Sequence, residues 1–184
     1  MAQTTKRALA ASLKKLLSRK PLDRITVKDI TDDCGVNRQT FYYHFADVYD
    51  LIDWIYLTEG FQVIGDMRTL ETWQDGFLSL FDWILDNRAF VVNSYHSVSR
   101  ENLENFLYSR CYDLLYGVVQ EKSADYSVEE SDCAFIANFF KYGFVGLVLE
   151  WIEDGMKTPP EQIISRLGIL MKGDISAALE RFSR

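Results

Sequence analysis

A short stretch of the sequence, residues 37–44, carries side chains suited to binding a nucleic acid. It reads Asn-Arg-Gln-Thr-Phe-Tyr-Tyr-His, with a hydrogen-bonding group at nearly every position. Arginine can pair with guanine through two hydrogen bonds, glutamine can do the same with adenine, and threonine, tyrosine and histidine can reach phosphate oxygens. The candidate DNA-contacting residues here are Asn37, Arg38, Gln39, Thr40, Tyr42, Tyr43 and His44.

Two short helices joined by a tight turn are needed to present these side chains, and the sequence predicts both. Thr26 can cap a helix whose third residue, Asp29, completes a capping box, and Gly35 can take the left-handed conformation that closes it. Asn37 can then cap a recognition helix from Arg38 to Phe45. Phe41 and Phe45, four residues apart, anchor that helix and turn Gln39, Thr40, Tyr43 and His44 outward, with Arg38 and Tyr42 on the flanks. Together these features predict a helix-turn-helix.

The remaining segments also show helical periodicity, so the predicted fold is all-α with about nine helices. A first helix from about Thr4 to Arg19 ends before Pro21, which completes a three-helix DNA-binding domain over residues 1–47. A regulatory and dimerisation domain, a helical bundle, is predicted over residues 48–184. Its helices are expected from Asp47 to about Ile64 and over residues 72–86, 88–97, 100–122, 128–154 and 160–182, the last opened by Pro160.

Charge divides the chain in the same way. Residues 1–45 hold nine basic and four acidic side chains, a net charge of +5, so the rest carries −12 of the total of −7. A basic N-terminal part followed by an acidic remainder predicts that the N-terminal part binds a polyanion. Three widely spaced cysteines fit neither a disulfide framework nor a zinc site. No segment resembles a signal peptide, and none looks long and uncharged enough to span a bilayer, so we expect a cytoplasmic protein without membrane contact.

The segments Ile25–Ile30 and Cys34–Phe45 resemble the signature of TetR-type transcription regulators. The resemblance covers about forty-five contiguous residues and implies that Thr26 and Tyr42 contact phosphates, while Arg38, Gln39, Thr40 and His44 approach the bases or adjoining backbone. Family members usually carry a lysine at the start of the fourth helix, where this chain has Val48. That missing phosphate contact implies weaker binding, or help from Lys6, Lys28 or a partner protein. The aromatic-rich middle is similar to the TetR-like activators of dihydroxyacetone kinase operons.

The resemblance further implies that the last two helices pair with those of a second copy. The predicted helix over residues 128–154 supports this, because apolar side chains surround most of it: Phe135, Phe139, Tyr142, Phe144, Leu147, Leu149 and Trp151. A buried central helix in a monomer is the alternative. A homodimer predicts a double-stranded operator with inverted half-sites about 34–36 Å, or a multiple, apart. A pocket for an effector is predicted among Tyr95, Phe106, Tyr108, Cys111, Asn138 and Tyr142, although a plain core explains these residues better.

Three functions compete at this point. The first is a dimeric DNA-binding switch in which an effector shifts the population able to span both half-sites. The second is a regulator that acts only with a bound protein partner and has no small-molecule pocket of its own. The third, a small helical enzyme, lacks a glycine-rich phosphate loop, metal-ligand spacing or a nucleophile with a base. We therefore expect a non-enzymatic regulator that needs no cofactor or metal.

Overall fold

A computed structural model describes residues 2–60 and 62–183, and in this part of the chain every regular element is helical. The all-α prediction is confirmed. A 3-10 turn over Leu22–Arg24 follows the first helix, and a π-helical turn over Tyr56–Gly60 follows the fourth. The ten α-helices of the described residues are α1 (Ala2–Leu17), α2 (Val27–Cys34), α3 (Arg38–His44), α4 (Val48–Ile55), α5 (Trp73–Asp86), α6 (Arg88–Tyr95), α7 (Arg100–Ser123), α8 (Glu130–Glu153), α9 (Pro160–Leu170) and α10 (Asp174–Phe182).

The chain forms two compact units, one from Met1–Gly60 with Asp86–Phe106 and one from Phe61–Leu85 with Leu107–Arg184. The first unit thus contains α4 and α6 as well as the three predicted DNA-binding helices. In it, Leu9 and Leu13 of α1 are fully buried, and the hydroxyl of Ser12 donates to the carbonyl of Ile30 in α2 at 3.0 Å. The functional boundary expected between residues 47 and 48 stays a prediction.

The core of the second unit is aromatic. Phe77 and Phe81 of α5 are fully buried, with ring centroids 5.0 Å apart. Phe144 packs on Phe77 at 4.9 Å and Trp151 on Phe81 at 4.7 Å, so one side of α8 lies against α5. Edge-to-face and tilted pairs of this kind add to the free energy that burial alone provides.

The last predicted helix is interrupted. Residues 160–182 were expected to form one helix, but Gly173 adopts a φ of 88° and separates α9 from α10. A positive φ of this size is readily adopted only by glycine, which explains why the chain can stop and restart there. The fourth helix is also shorter than expected, since its regular α-helical part ends at Ile55.

By length and composition α8 could also cross a membrane. A third of its most apolar 18-residue window is buried, at 33%. The expectation that no segment is long and apolar enough is therefore wrong for this helix, because its most apolar 18-residue window holds no more than two charged residues. Core helices of soluble proteins have the same composition, so length and hydropathy do not decide the matter.

Candidate nucleic-acid interface

The start of α2 is fixed by a capping box at Thr26. Its hydroxyl oxygen accepts from the amide of Asp29 at 3.2 Å, while the Asp29 carboxylate accepts from the Thr26 amide at 2.8 Å and from its hydroxyl at 2.7 Å. Lys20 adds an ion pair to that carboxylate at 2.9 Å. The hydrogen bonds from Thr26, followed by that from Lys20, hold the pKa of Asp29 well below its ordinary value.

The turn between α2 and α3 forms as expected. Gly35 ends α2 with a φ of 71°, and its amide donates to the carbonyl of Thr31. Asn37 then caps α3, because its side-chain oxygen accepts from the Thr40 amide at 2.7 Å and from the Thr40 hydroxyl at 2.9 Å. The α3 helix is thereby held at its first turn by a residue that also faces solvent.

Two buried phenylalanines anchor the inner face of α3. Phe41 is fully buried and Phe45 is 3% exposed, and their rings lie 5.8 Å apart. Trp54 of α4 meets Phe45 at 5.9 Å. A helix of seven residues is too short to be stable alone, so this aromatic packing is what keeps α3 in place.

The opposite face of α3 is open to solvent. Arg38 and Gln39 are exposed, and the exposed fractions of Tyr42 and Tyr43 are 59% and 83%. Thr40 and His44 were expected to point fully outward, but both are half-buried, while Tyr42, expected on the flank, is more open than either. The exposed surface of α3 therefore consists of one cation, one amide and two phenols.

Eight of the nine basic side chains in residues 1–45 divide into two groups. Lys14 pairs with Glu59, Lys15 with Asp33 at 2.6 Å, and Lys20 with Asp29, so their charges are partly neutralised within the protein. Exposed basic side chains remain at Arg7, Arg19, Arg24, Lys28 and Arg38. Within this second group, Lys28 belongs to α2 and Arg38 to α3.

Val48 occupies the first position of α4, and Lys6 lies close to that helix. The Lys6 ammonium lies 5.2 Å from the ring centroid of Phe45 and 5.9 Å from that of Trp54. Asp47 caps α4 by accepting from the amides of Tyr49 and Asp50. Lys6 of α1 thus lies over the aromatic rings that anchor α3.

The six residues suggested for an effector pocket are divided between the two units. Tyr95 and Phe106 are buried in the first unit, where Phe106 stacks on Tyr56 at 5.1 Å. Tyr108, Cys111, Asn138 and Tyr142 belong to the second unit. Cys111 is fully buried, which raises the pKa of its thiol to about 12, whereas Asn138 and Tyr142 are exposed on α8. Their role in binding an effector stays a prediction.

Sequence reasoning missed Asn93, which links α6 to the connection between α1 and α2. Its side-chain oxygen accepts from the amide of Leu22 at 3.2 Å, and its side-chain nitrogen donates to the carbonyls of Ala89 at 2.8 Å and Leu17 at 3.4 Å. These bonds satisfy backbone groups at the end of α1 and in the 3-10 turn. No local signal could reveal the bonds to Leu17 and Leu22, because these partners lie more than seventy residues away in sequence.

A capped turn followed by an anchored helix with a polar outer face defines a helix-turn-helix DNA-binding protein. Residues 8–53 match the family model described as bacterial regulatory proteins, tetR family, and residues 71–173 match the model described as a transcriptional regulator C-terminal region. The second match alone covers more than half of the chain. The protein belongs to the TetR family of bacterial transcriptional regulators, so it is a regulator that binds operator DNA and not an enzyme.

One similar sequence and two similar solved structures agree with this assignment. The HTH-type dhaKLM operon transcriptional activator DhaS of Lactococcus lactis subsp. lactis (strain IL1403) is 28% identical over 82% of this chain and 81% of its own. A solved structure of a dihydroxyacetone kinase operon activator DhaS superposes with a TM-score of 0.75 at 25% identity, covering 98% of each chain. NalD of Pseudomonas aeruginosa shares the fold, with a TM-score of 0.62 at 15% identity over 93% of this chain and 96% of its own.

Proposed function

We propose that the chain binds a palindromic operator as a homodimer in the cytoplasm, with α3 of each copy in the major groove. The observation that supports this most is the outer face of α3, where Arg38, Gln39, Tyr42 and Tyr43 are exposed on a helix anchored by buried aromatics. Side chains that face solvent on a fixed helix can reach base edges without rearrangement of the backbone.

The exposed residues divide into base-reading and phosphate-binding groups. Arg38 and Gln39 lie in the first turn of α3, the part of a recognition helix that comes nearest the bases, and both can form bidentate pairs. We assign the exposed side chains of Tyr42, Tyr43 and Lys28 to phosphate oxygens. Thr26 can bind a phosphate only by redirecting the hydroxyl proton that it donates to Asp29, and Thr40 and His44 are left with partial access.

The test of this interface is a fluorescence-anisotropy titration on DNA from the gene's own upstream region, with unrelated duplex as a control. Replacing Arg38 and Gln39 with alanine should weaken operator binding by about 1–3 kcal/mol for each bidentate pair with a base that the substitution removes. Gln120→Ala with Lys122→Ala removes one amide and one cation from α7 and is the matched control, expected to bind as the unaltered chain does. Unchanged affinity in the α3 variant would show that α3 does not read the operator.

Dimerisation is proposed because α8 carries a large apolar surface facing solvent. Phe135, Phe139 and Tyr142 are 61%, 68% and 60% exposed. Phe182 of α10 lies beside Phe135, with ring centroids 6.2 Å apart, and a groove of about 400 Å³ runs between the two helices. Monomeric proteins rarely leave contiguous aromatic surface of this kind in water. A second copy packed on α8 covers this surface with no need for lipid, and the alternative of a helix buried within one monomer does not fit the exposure.

Sedimentation equilibrium tests the dimer. Phe135→Asp with Phe139→Asp places two charges on the apolar face and should produce a monomer at concentrations where the unaltered chain is a dimer. Leu57→Asp is the control, since Leu57 is 69% exposed but lies in the first unit. Dimers that persist in the double variant would mean that the chains associate elsewhere.

The remaining part of the proposal is that a signal switches the regulator. We expect the regulator to activate transcription. Both DhaS relatives are named as activators of dihydroxyacetone kinase operons, which favours activation here. The second candidate is a regulator dependent on a protein partner, favoured by the exposure of Asn138 and Tyr142, which are accessible to a partner surface. Tight binding of the purified chain to one palindrome supports the autonomous regulator, and equally weak binding to operator and unrelated DNA supports the partner-dependent one. A reporter gene behind the operator distinguishes activation from repression.

A further inference from the structure

We propose that two copies of the chain pair through α10 in antiparallel orientation, and that Asp174 of each copy meets Arg181 of the other. This pairing rests on the homodimer proposed above, and it adds the orientation of the two copies and the residues that select the partner. Both side chains line the groove of about 400 Å³ between α8 and α10, beside the exposed rings of Phe135 and Phe139. All four residues belong to the second unit.

Asp174 and Arg181 lie on one face of α10 but are too far apart to pair with each other. They are separated by two helical turns, so they point the same way and lie about 10 Å apart along the helix axis. Both side chains are exposed, and among the described residues neither forms an ion pair within the chain. One face of α10 thus carries a negative and a positive charge that are free to meet a second molecule.

The helix dipole explains only part of this arrangement. An acid in the first turn and a base in the last turn are each favoured by the partial charges of the helix ends. The dipole acts along the axis, however, and does not determine the face on which a charge lies. Asp174 and Arg181 both line the apolar groove, whereas Glu180 of the same helix is exposed outside it. The shared position of the two charges beside an apolar surface therefore points to a partner.

A two-fold axis makes this pattern of charge complementary to itself. Two copies of one helix that pack across such an axis run antiparallel, and each contact occurs twice. With the axis near Ala178, about midway between the two charges, Asp174 of each copy lies opposite Arg181 of the other. Ala178 also lines the groove, and its small side chain suits a close approach of the helices, at about 8–10 Å between their axes. A parallel pairing would bring like charges together, so the charges select the antiparallel one.

Ion pairs in this position act mainly on the choice of partner. Burial of apolar surface drives association without regard to direction, whereas complementary charges fix the orientation and reject partners that present like charges. The exposed aromatic side chains of α8 can pack on many apolar surfaces. We therefore expect Asp174 and Arg181 to favour pairing between copies of this chain over pairing with other helical proteins.

Charge reversal in the full chain tests this pairing. Asp174→Arg alone, or Arg181→Asp alone, brings like charges together at both contacts. Each should raise the dissociation constant of the dimer about ten- to a hundredfold in sedimentation equilibrium. The double variant, Asp174→Arg with Arg181→Asp, restores opposite signs at both contacts. Its dissociation constant should return to within about threefold of the value for the unaltered chain.

A mixture of the two single variants gives the sharper measurement. Arginine meets aspartate at both contacts only when an Asp174→Arg chain pairs with an Arg181→Asp chain. Native mass spectrometry of an equimolar mixture should therefore show mixed dimers well above the share expected from random pairing. Glu180→Arg mixed with Arg166→Asp is the matched control, because it makes the same changes of charge at exposed positions outside the groove. The control mixture should give the random share.

The outcomes distinguish this pairing from the homodimer itself. A monomeric unaltered chain would overturn both. A dimeric unaltered chain whose dissociation constant is unchanged by either charge reversal, or a random share of mixed dimers from the two single variants, would overturn the pairing through α10 and leave the homodimer in place. Circular dichroism checks that each variant is folded, and recovery of dimers in the mixture cannot arise from misfolded chains.

Discussion

Two helical glycines, Gly117 in α7 and Gly143 in α8, should respond in opposite ways to the same substitution. Alanine in a helix interior is more favourable than glycine by about 0.8–1.0 kcal/mol, because it loses less backbone entropy on folding. A Cβ atom at Gly143 would meet nothing within 4 Å. The full gain should therefore appear at that position, and Gly143→Ala should raise the free energy of unfolding by about 1 kcal/mol.

At Gly117 the same methyl group would lie 2.6 Å from the carbonyl oxygen of Arg68. Either α7 or the segment over residues 65–70 must shift to admit it, and overpacking of this kind costs about 1–3 kcal/mol. This cost equals or exceeds the gain in helix propensity, so Gly117→Ala should be neutral or lower the free energy of unfolding by up to about 2 kcal/mol. The two variants should differ by about 1–3 kcal/mol in total.

Urea unfolding, followed by circular dichroism, measures both values. The variants must be compared with the unaltered chain at equal protein concentrations, because association makes apparent stability depend on concentration. If a second copy packs closely on α8, the gain at Gly143 should shrink as concentration rises. A stabilised Gly117→Ala, or a destabilised Gly143→Ala at the lowest concentration, would refute the packing described here.

Three further outcomes are expected. Asn93→Ala should lower the free energy of unfolding by about 1–3 kcal/mol, since it strands backbone groups at the end of α1, and urea unfolding against Asn102→Ala checks this. Asp29 has a folded-state pKa below its unfolded one because of its hydrogen bonds with Thr26, so its contribution is present at neutral pH and is lost as the pH falls below about 4. Unfolding measured from pH 5 downward should therefore depend less on pH in Asp29→Asn than in the unaltered chain. Burial raises the pKa of the Cys111 thiol to about 12, so native protein should react with a thiol reagent at half-exposed Cys34 well before Cys111, and peptide mass spectrometry showing equal rates would contradict this.

The elements read most accurately from the sequence are those fixed by neighbouring residues. Thr26 and Asp29 form the predicted capping box, Gly35 takes the predicted left-handed conformation, and Asn37 caps the next helix. Each of these signals acts within three or four residues, so it survives whatever the rest of the chain does. The turn and the recognition helix were therefore predictable in bounds and in orientation, apart from the partial burial of Thr40 and His44.

Features that depend on distant residues could not be predicted in the same way. Gly173 interrupts a segment whose apolar periodicity continues on both sides, and glycine within a helix is tolerated often enough that it does not predict a break. The bonds of Asn93 and the approach of Arg68 to Gly117 join segments dozens of residues apart. Which side of α8 meets α5 and which faces solvent was equally hidden, because apolar side chains surround most of its circumference.

The distribution of charge bears directly on how such a regulator can bind DNA. Lys14, Lys15 and Lys20 are each paired with a carboxylate inside the first unit, so the net charge of that end overstates the field that reaches a phosphate. Val48 removes a further cation where family members usually carry one. The affinity of one copy for DNA falls with salt in proportion to the number of phosphates that it neutralises. In the proposed dimer, two copies on two half-sites would double the number of bound phosphates, while each α3 would add its own contacts with the bases. On this proposal, the apolar face of α8 contributes to operator binding together with the exposed residues of α3.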